Sequence, residues 1–208
     1  MVYPAEQRKT SPQLDSTVWN LPGDNKLHIH HLNDPSTAPT ALLTRLHGLF
    51  NHIITEGRTY PIENAMTQEQ FNGYFFTADL FVGILTDKSV HDVADDEWDT
   101  VLAGCYYVKP NYVGRSNHIC NAGFIVNFHK RGLGLGSALG KSYLHYGPKL
   151  GYKGSIFNLV YQSNVASARI WDRLGFTRAG LVPKAGRLLD PQGNEYYDDA
   201  IIYYKSFE

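Results

Sequence analysis

Two things are scarce in this 208-residue chain: cysteine, with 2 residues, and any excess of charge, with 19 Lys and Arg against 20 Asp and Glu. Cys105 and Cys120 lie in apolar, strand-like runs and read as buried thiols of a reducing compartment, not as a disulfide framework. A net charge of −1 supplies no basic field for nucleic acid or anionic lipid, so neither partner is expected and any anion must be gripped locally. No run approaches the ~18 apolar residues of a membrane span, and the first residues lack the apolar stretch of a secretory signal. The expectation is a soluble, cytoplasmic protein. Internal repeats and low-complexity tracts are also missing. The one histidine cluster, His28-x-His30-His31, falls on a strand whose alternation splits the rings between two faces, so no metal is expected.

What is present is material for one core, 43% hydrophobic and 13% aromatic residues, at a length that suits one domain. Residues 1–25 carry Pro, Ser, Thr and Asp without periodicity and read as an irregular leader; the domain is expected over 26–208. Leu27-His28-Ile29-His30 alternates like a strand. From Pro39 to Gly57, Leu42, Leu43, Leu46, Leu49, Phe50, Ile53 and Ile54 form a helical stripe. Thr67 and Gln70 make a capping box before Phe71 and Phe75. Strands follow at 80–86, 101–109 and 118–127, with the acidic run Asp92 to Asp99 as a solvated loop. A helix over 135–150, a strand over 154–161, a helix over 165–174 and strands at 176–182 and 199–207 complete the order, Asp190 to Asn194 turning between the last two. The strand–helix–strand unit at 118–161 should be a parallel pair with a right-handed crossover.

The chemistry concentrates where that crossover helix begins. Arg131-Gly132-Leu133-Gly134-Leu135-Gly136-Ser137 brings a cation and three glycines to a helix mouth, where unpartnered N–H groups and the helix dipole favour an anion. Neither common phosphate fingerprint fits. The dinucleotide pattern would need glycine where Ser137 stands, and the nucleoside-triphosphate loop ending Gly140-Lys141-Ser142 would need glycine at Leu135.

Arg131-x-x-Gly134-x-Gly136 instead resembles the pyrophosphate loop of GCN5-related N-acetyltransferases (GNAT). Asn164-x-x-Ser167-x-x-x-Trp171-x-x-x-Gly175-Phe176 resembles that family's closing helix. Blocks from 57 to 207, among them Tyr107 to Tyr112, Cys120 to Phe124, Ser155 to Val160, Gly180 to Pro183 and Asp199 to Tyr203, are similar to the fungal L-azetidine-2-carboxylate N-acetyltransferases. The resemblance implies an α/β (α+β) fold: a mixed, mostly antiparallel sheet of about seven strands, with a central parallel pair splayed around acetyl-CoA and about four flanking helices. It implies acetyl transfer from acetyl-CoA, without a metal, to the ring nitrogen of small cyclic imino acids, serving detoxification and proline metabolism. It places the pyrophosphate on Arg131, Gly132, Leu133, Gly134, Leu135, Gly136 and Ser137, the pantetheine beside Phe124, Ile125 and Val126, and Asn164 toward the cofactor. A homodimer through the terminal strands would match the family's habit.

Two family roles have no holder. Trp171 stands where relatives carry an acidic tyrosine, and indole N–H cannot protonate a thiolate. Residues 118–127 hold no Asp or Glu for a base, leaving His118 as the alternative if a neutral-range titration appears. Asn121 and Asn158 are the candidate catalytic residues, able to accept from the attacking nitrogen, to order a water, or to hold a carboxylate. Each could equally tie backbone at the splay. Arg58 and Lys109 could pair with a substrate carboxylate. Open alternatives are another small amine, an amino acid or a protein N-terminus as acceptor, and a non-catalytic acyl-CoA-binding regulator.

Overall fold

The structure is a computed structural model and describes residues 11–77 and 79–208. Its thirteen regular elements, short 3-10 turns aside, are β1 (Thr17–Asn20), β2 (Lys26–Leu32), α1 (Thr40–Glu56), α2 (Gln68–Phe75), β3 (Asp79–Ile84), α3 (Trp98–Val101), β4 (Leu102–Pro110), β5 (Ile119–Val126), α4 (Leu135–Lys149), β6 (Gly154–Tyr161), α5 (Val165–Arg173), β7 (Thr177–Leu189) and β8 (Glu195–Ser206). They build one 8-stranded sheet in the order β1-β2-β3-β4-β5-β6-β8-β7. Only the β5–β6 pairing is parallel. That is the expected α/β architecture, with one strand and one helix more than the sequence announced.

The strand alternation sends successive side chains to opposite faces, and each face finds its own helices. Val82, Cys105, Tyr107 and Ile125 join the stripe of α1 and the phenylalanines of α2 in one core. Phe81, Tyr106, Val108 and Cys120 pack with Leu139, Tyr143 and Tyr146 of α4 and Trp171 of α5 in the other. Helix α1 stops because Gly57 adopts φ 64 and returns its N–H to the Ile54 carbonyl. Helix α2 starts on the full capping box of Thr67 and Gln70.

Three expectations need correction. The leader is not irregular throughout: Thr17–Asn20 pairs antiparallel with β2, Tyr146 donates its hydroxyl proton toward the Asp15 carbonyl at 2.8 Å, and Leu14 N–H donates to His31 Nδ1. A four-residue edge strand held by long-range contacts leaves no periodic trace. Residues 1–10 lie outside the described residues. The acidic loop is more than a solvated turn, since Trp98 within it is wholly buried and opens α3, while Glu97 pairs with Lys88 at 2.7 Å. Finally, β7 and β8 form a longer hairpin than expected, because register shifts between Val182 and Gly186 break the alternation without ending the strand. The Asp190 turn is present, with Asp190 Oδ1 accepting from the N–H groups of Gln192 and Asn194 at 2.8 Å.

The parallel pair is very short. Only Ile119 with Gly154 and Cys120 with Ser155 are in register, after which the strands part. The join is pinned from α4, where Tyr143 Oη donates to Ser155 Oγ at 2.5 Å and lies 3.0 Å from Cys120 Sγ. A buried phenol that satisfies both strands at once stabilises the last paired rung, and the gap begins at the next residue.

Candidate active site

Beyond Cys120 and Ser155 the sheet opens into a cavity of about 840 Å³ that runs from the mouth of α4 through the gap to the loop after α1. On its α4 side, Gly134 is the helix N-cap at φ 74, and the first intrahelical bond runs from Ala138 N–H to the Gly134 carbonyl. The N–H groups of Leu135, Gly136 and Ser137 therefore have no partner within the helix. Nothing lies within 4 Å of where a Cβ on Gly132 would be, so the backbone there is open to a ligand. Glycine at 136 has a different reason: its Cβ would meet Ile170 Cδ1 at 3.0 Å, and one on Gly140 would meet Leu174 at 2.8 Å. These two glycines let α5 press onto α4, and Gly136 also lines the cavity.

The charge of the mouth was only partly visible in the sequence. Arg131 lines it, but so do Lys130 and, from α5, Arg169 and Arg173, spaced to share one helix face. Against these four cations the cavity carries one carboxylate, Glu56. Backbone donors and cations together fit a diphosphate. Leu133, by contrast, packs on the core and does not line the cavity.

Inside the gap, Phe124 and Val126 line the cavity, whereas Ile125 is fully buried on the opposite face among the α1 and α2 side chains. The pleat requires that split, so Ile125 could offer only backbone to a ligand. Asn164 caps α5, its Oδ1 accepting from Ser167 N–H at 3.2 Å, and also lines the cavity. Trp171 is buried against Phe124, Phe157 and Phe176, its indole N–H donating to Ser167 Oγ at 2.9 Å. It is a packed wall with its one donor spent.

Asn121 and Asn158 face each other across the gap and are joined by a residue the sequence reading passed over. Asn111, just past the end of β4, accepts at Oδ1 from Asn121 Nδ2 at 2.9 Å and from Asn158 Nδ2 at 2.6 Å. Antiparallel pairing sets Lys109 opposite Asn121, and Asn111, two residues on, continues it with its N–H donating to the Ile119 carbonyl, which leaves it diagonal to Asn121 on the same face. That topological step was the available signal. Asn158 projects here because the β6–β8 register slips between Phe157 and Val160, turning Asn158 and Leu159 out of the ladder into the cavity. The amides thus do tie the splay, Asn158 Oδ1 accepting in turn from Asn111 Nδ2 at 3.5 Å, while among the described residues Asn121 Oδ1 receives no hydrogen bond.

The far end of the cavity is aromatic. Tyr60, Tyr74 and Tyr107 line it, Tyr60 donating to the Phe124 carbonyl at 3.2 Å and the Tyr74 and Tyr107 hydroxyls lying 3.2 Å apart. Burial pushes the Tyr60 and Tyr107 phenols above their ordinary values, so both stay protonated through neutral pH. A Cβ on Gly123 would come within 2.5 Å of the Tyr107 ring, which explains glycine at that position. His118 is exposed and does not line the cavity, nor does Arg58.

A family model described as "Acetyltransferase (GNAT) family" matches residues 56–176, the stretch that contains the mouth, the gap and most of the wall. The chain belongs to the GNAT family. Over 93% of its length it is 37% identical to the Schizosaccharomyces pombe protein "N-acetyltransferase aca1", covering 90% of that protein. A GCN5-related N-acetyltransferase from Kribbella flavida superposes with TM-score 0.69 at 23% identity, over 86% of this chain and 97% of the other. YncA from Salmonella typhimurium, solved with its cofactor acetyl-CoA, gives 0.66 at 14% identity over 86% and 94%. The GNAT chain described here is an acetyl-CoA-dependent N-acetyltransferase. Acetyl-CoA supplies the acetyl group as a thioester. Among the described residues there is no metal-holding group of three or more His, Cys, Asp or Glu, and no helix long and apolar enough to cross a membrane.

Proposed function

We propose that this GNAT enzyme acetylates the ring nitrogen of small cyclic imino acids, L-azetidine-2-carboxylate and related proline analogues, in their detoxification and in proline metabolism. In this reading the mouth of α4, with Arg131, Gly132, Gly134 and Ser137, takes the pyrophosphate, Phe124 and Val126 flank the pantetheine arm, and the three asparagines receive the amine. The observation that carries it is the amide bridge of Asn111, Asn121 and Asn158 across the splay. A neutral secondary amine has one N–H to donate, and Asn121 Oδ1 is an acceptor without a donor, while Asn111 keeps both other amides from rotating away. Orientation by such groups can contribute several kcal/mol, up to roughly 7–11 in ideal intramolecular cases. The aromatic wall suits a compact ring better than an extended chain. A single carboxylate, Glu56, lines the cavity, which argues against a polyamine, whose several charges would need acidic partners. The sequence blocks similar to the azetidine acetyltransferases support the same acceptor.

The test is CoA release with azetidine-2-carboxylate, spermidine and a short peptide as acceptors. The reading expects azetidine-2-carboxylate to exceed the others at least tenfold in kcat/KM, and preference for either rival contradicts it. Assembly as a homodimer belongs to the same proposal: β7 is an edge strand, and Leu181 and Tyr197 of the terminal hairpin are 49% and 64% exposed. Sedimentation at micromolar concentration should show a dimer, and a single monomeric species would rule it out.

A further inference from the structure

Lys109, among the described residues, carries an ammonium with no ion pair and no hydrogen bond, resting only on aromatic rings. It stands on β4 directly opposite Asn121 of β5, with both side chains on the same face of the sheet. Lys109 does not itself line the cavity; its Nζ lies 4.9 Å from the ring centre of Tyr74 and 4.8 Å from that of Tyr107, the two tyrosines that line the far wall. Among the described residues no carboxylate pairs with it and no carbonyl accepts from it, and it is half-buried. An ammonium partly withdrawn from water and resting only on ring faces recovers only a fraction of its lost hydration. Burial accordingly lowers its pKa. Its flexible four-carbon stem lets the head leave the rings when a better partner arrives.

We infer that Lys109 is the specificity-determining residue that receives the carboxylate of the acceptor, with Tyr74 and Tyr107 as its resting place in the free enzyme. The spacing suits an α-imino or α-amino acid. Directly opposed residues on antiparallel strands have Cβ atoms about 4.5–5.5 Å apart, and in such an acceptor a single carbon separates the carboxylate from the nitrogen. With the carboxylate at Lys109, the nitrogen falls to Asn121. This inference rests on the proposed acetylation of imino acids and adds which residue selects for the acid group.

The experiment compares acceptors with and without the carboxylate, azetidine-2-carboxylate against azetidine and alanine against ethylamine, in the wild type and in Lys109→Met. The wild type is expected to favour the carboxylated member of the pair it uses. In Lys109→Met that preference, as a ratio of kcat/KM values, should fall roughly tenfold or more, through the acceptor KM, with the KM for acetyl-CoA unmoved. Lys109→Arg should restore part of the preference. An unchanged ratio in Lys109→Met and in Lys109→Gln, both checked for folding by thermal melting, overturns the assignment. Turnover confined to the alanine pair removes the cyclic acceptor while the same ratio still judges Lys109. A wild type that prefers the uncarboxylated amines, or acetylates neither acid, overturns both.

Discussion

At the scale of single residues, the site is defined by what it does not contain. Among the described residues no histidine lines the cavity, burial holds Tyr60 and Tyr107 as phenols, and the Trp171 indole N–H is spent on Ser167. Proton removal therefore depends on the acceptor's own ionisation, and kcat/KM should climb steadily with pH from 6 to about 9, without an inflection near the ~6.5 of imidazole. A bell with a lower limb near 6 would contradict this and point to a side-chain base. Asn121→Ala removes the free acceptor oxygen and should cut kcat, while Asn158→Ala removes one strut of the bridge and should act mainly on KM for the acceptor. The double variant should lose less than the product of the single losses, because both amides lean on Asn111. Asn121 and Asn158 were readable as polar residues in apolar strands. Asn111 was not, since its value lies wholly in where β4 ends relative to β5.

At the scale of elements, local signals carried far. The stripe of α1, the capping box of α2, the glycine mouth of α4 and the cap of α5 were all written in short windows, and each is where its window put it. What escaped were features made by distant partners: β1, the burial of Trp98, and the slip in β6 that exposes Asn158. The strand at 17–20 also reaches the helix mouth. Just beyond it, Pro22 packs against the loop before α4, 3.2 Å from where a Cβ on Gly134 would sit, while Tyr146 of α4 contacts Asp15 and Thr17. The segment thus braces the helix mouth from behind. Tyr146→Phe should cost about 1–2 kcal/mol in thermal melts, and removal of residues 1–22 should weaken acetyl-CoA binding by calorimetry more than it alters the acceptor preference. Unchanged acetyl-CoA affinity in the truncated protein would show that the brace has no bearing on the site.

At the scale of the molecule, the two cores on either side of the sheet bury both thiols and several phenols. Cys105 and Cys120 are free and buried, with Cys120 pushed up to about 12 by burial, and Tyr106 and Tyr143 raised by the same cause. Groups whose folded pKa exceeds the unfolded value keep their stabilising contribution below the unfolded pKa and lose it as pH rises toward the folded one. The melting temperature should therefore be flat through neutral pH and fall above about 8.5–10, where unfolded thiols and phenols ionise. A thiol reagent at pH 8 should label neither cysteine until the protein is denatured, and rapid labelling of the native protein would contradict the packing. The proposed acetyl transfer depends most on the path of acetyl-CoA from the α4 mouth into the gap between β5 and β6. A crystal structure with CoA tests it directly. The expected result is the diphosphate on the N–H groups of Leu135, Gly136 and Ser137, with the sulfur in the gap facing Asn121. A diphosphate bound elsewhere, or a pantetheine arm lying outside the β5–β6 gap, would contradict it.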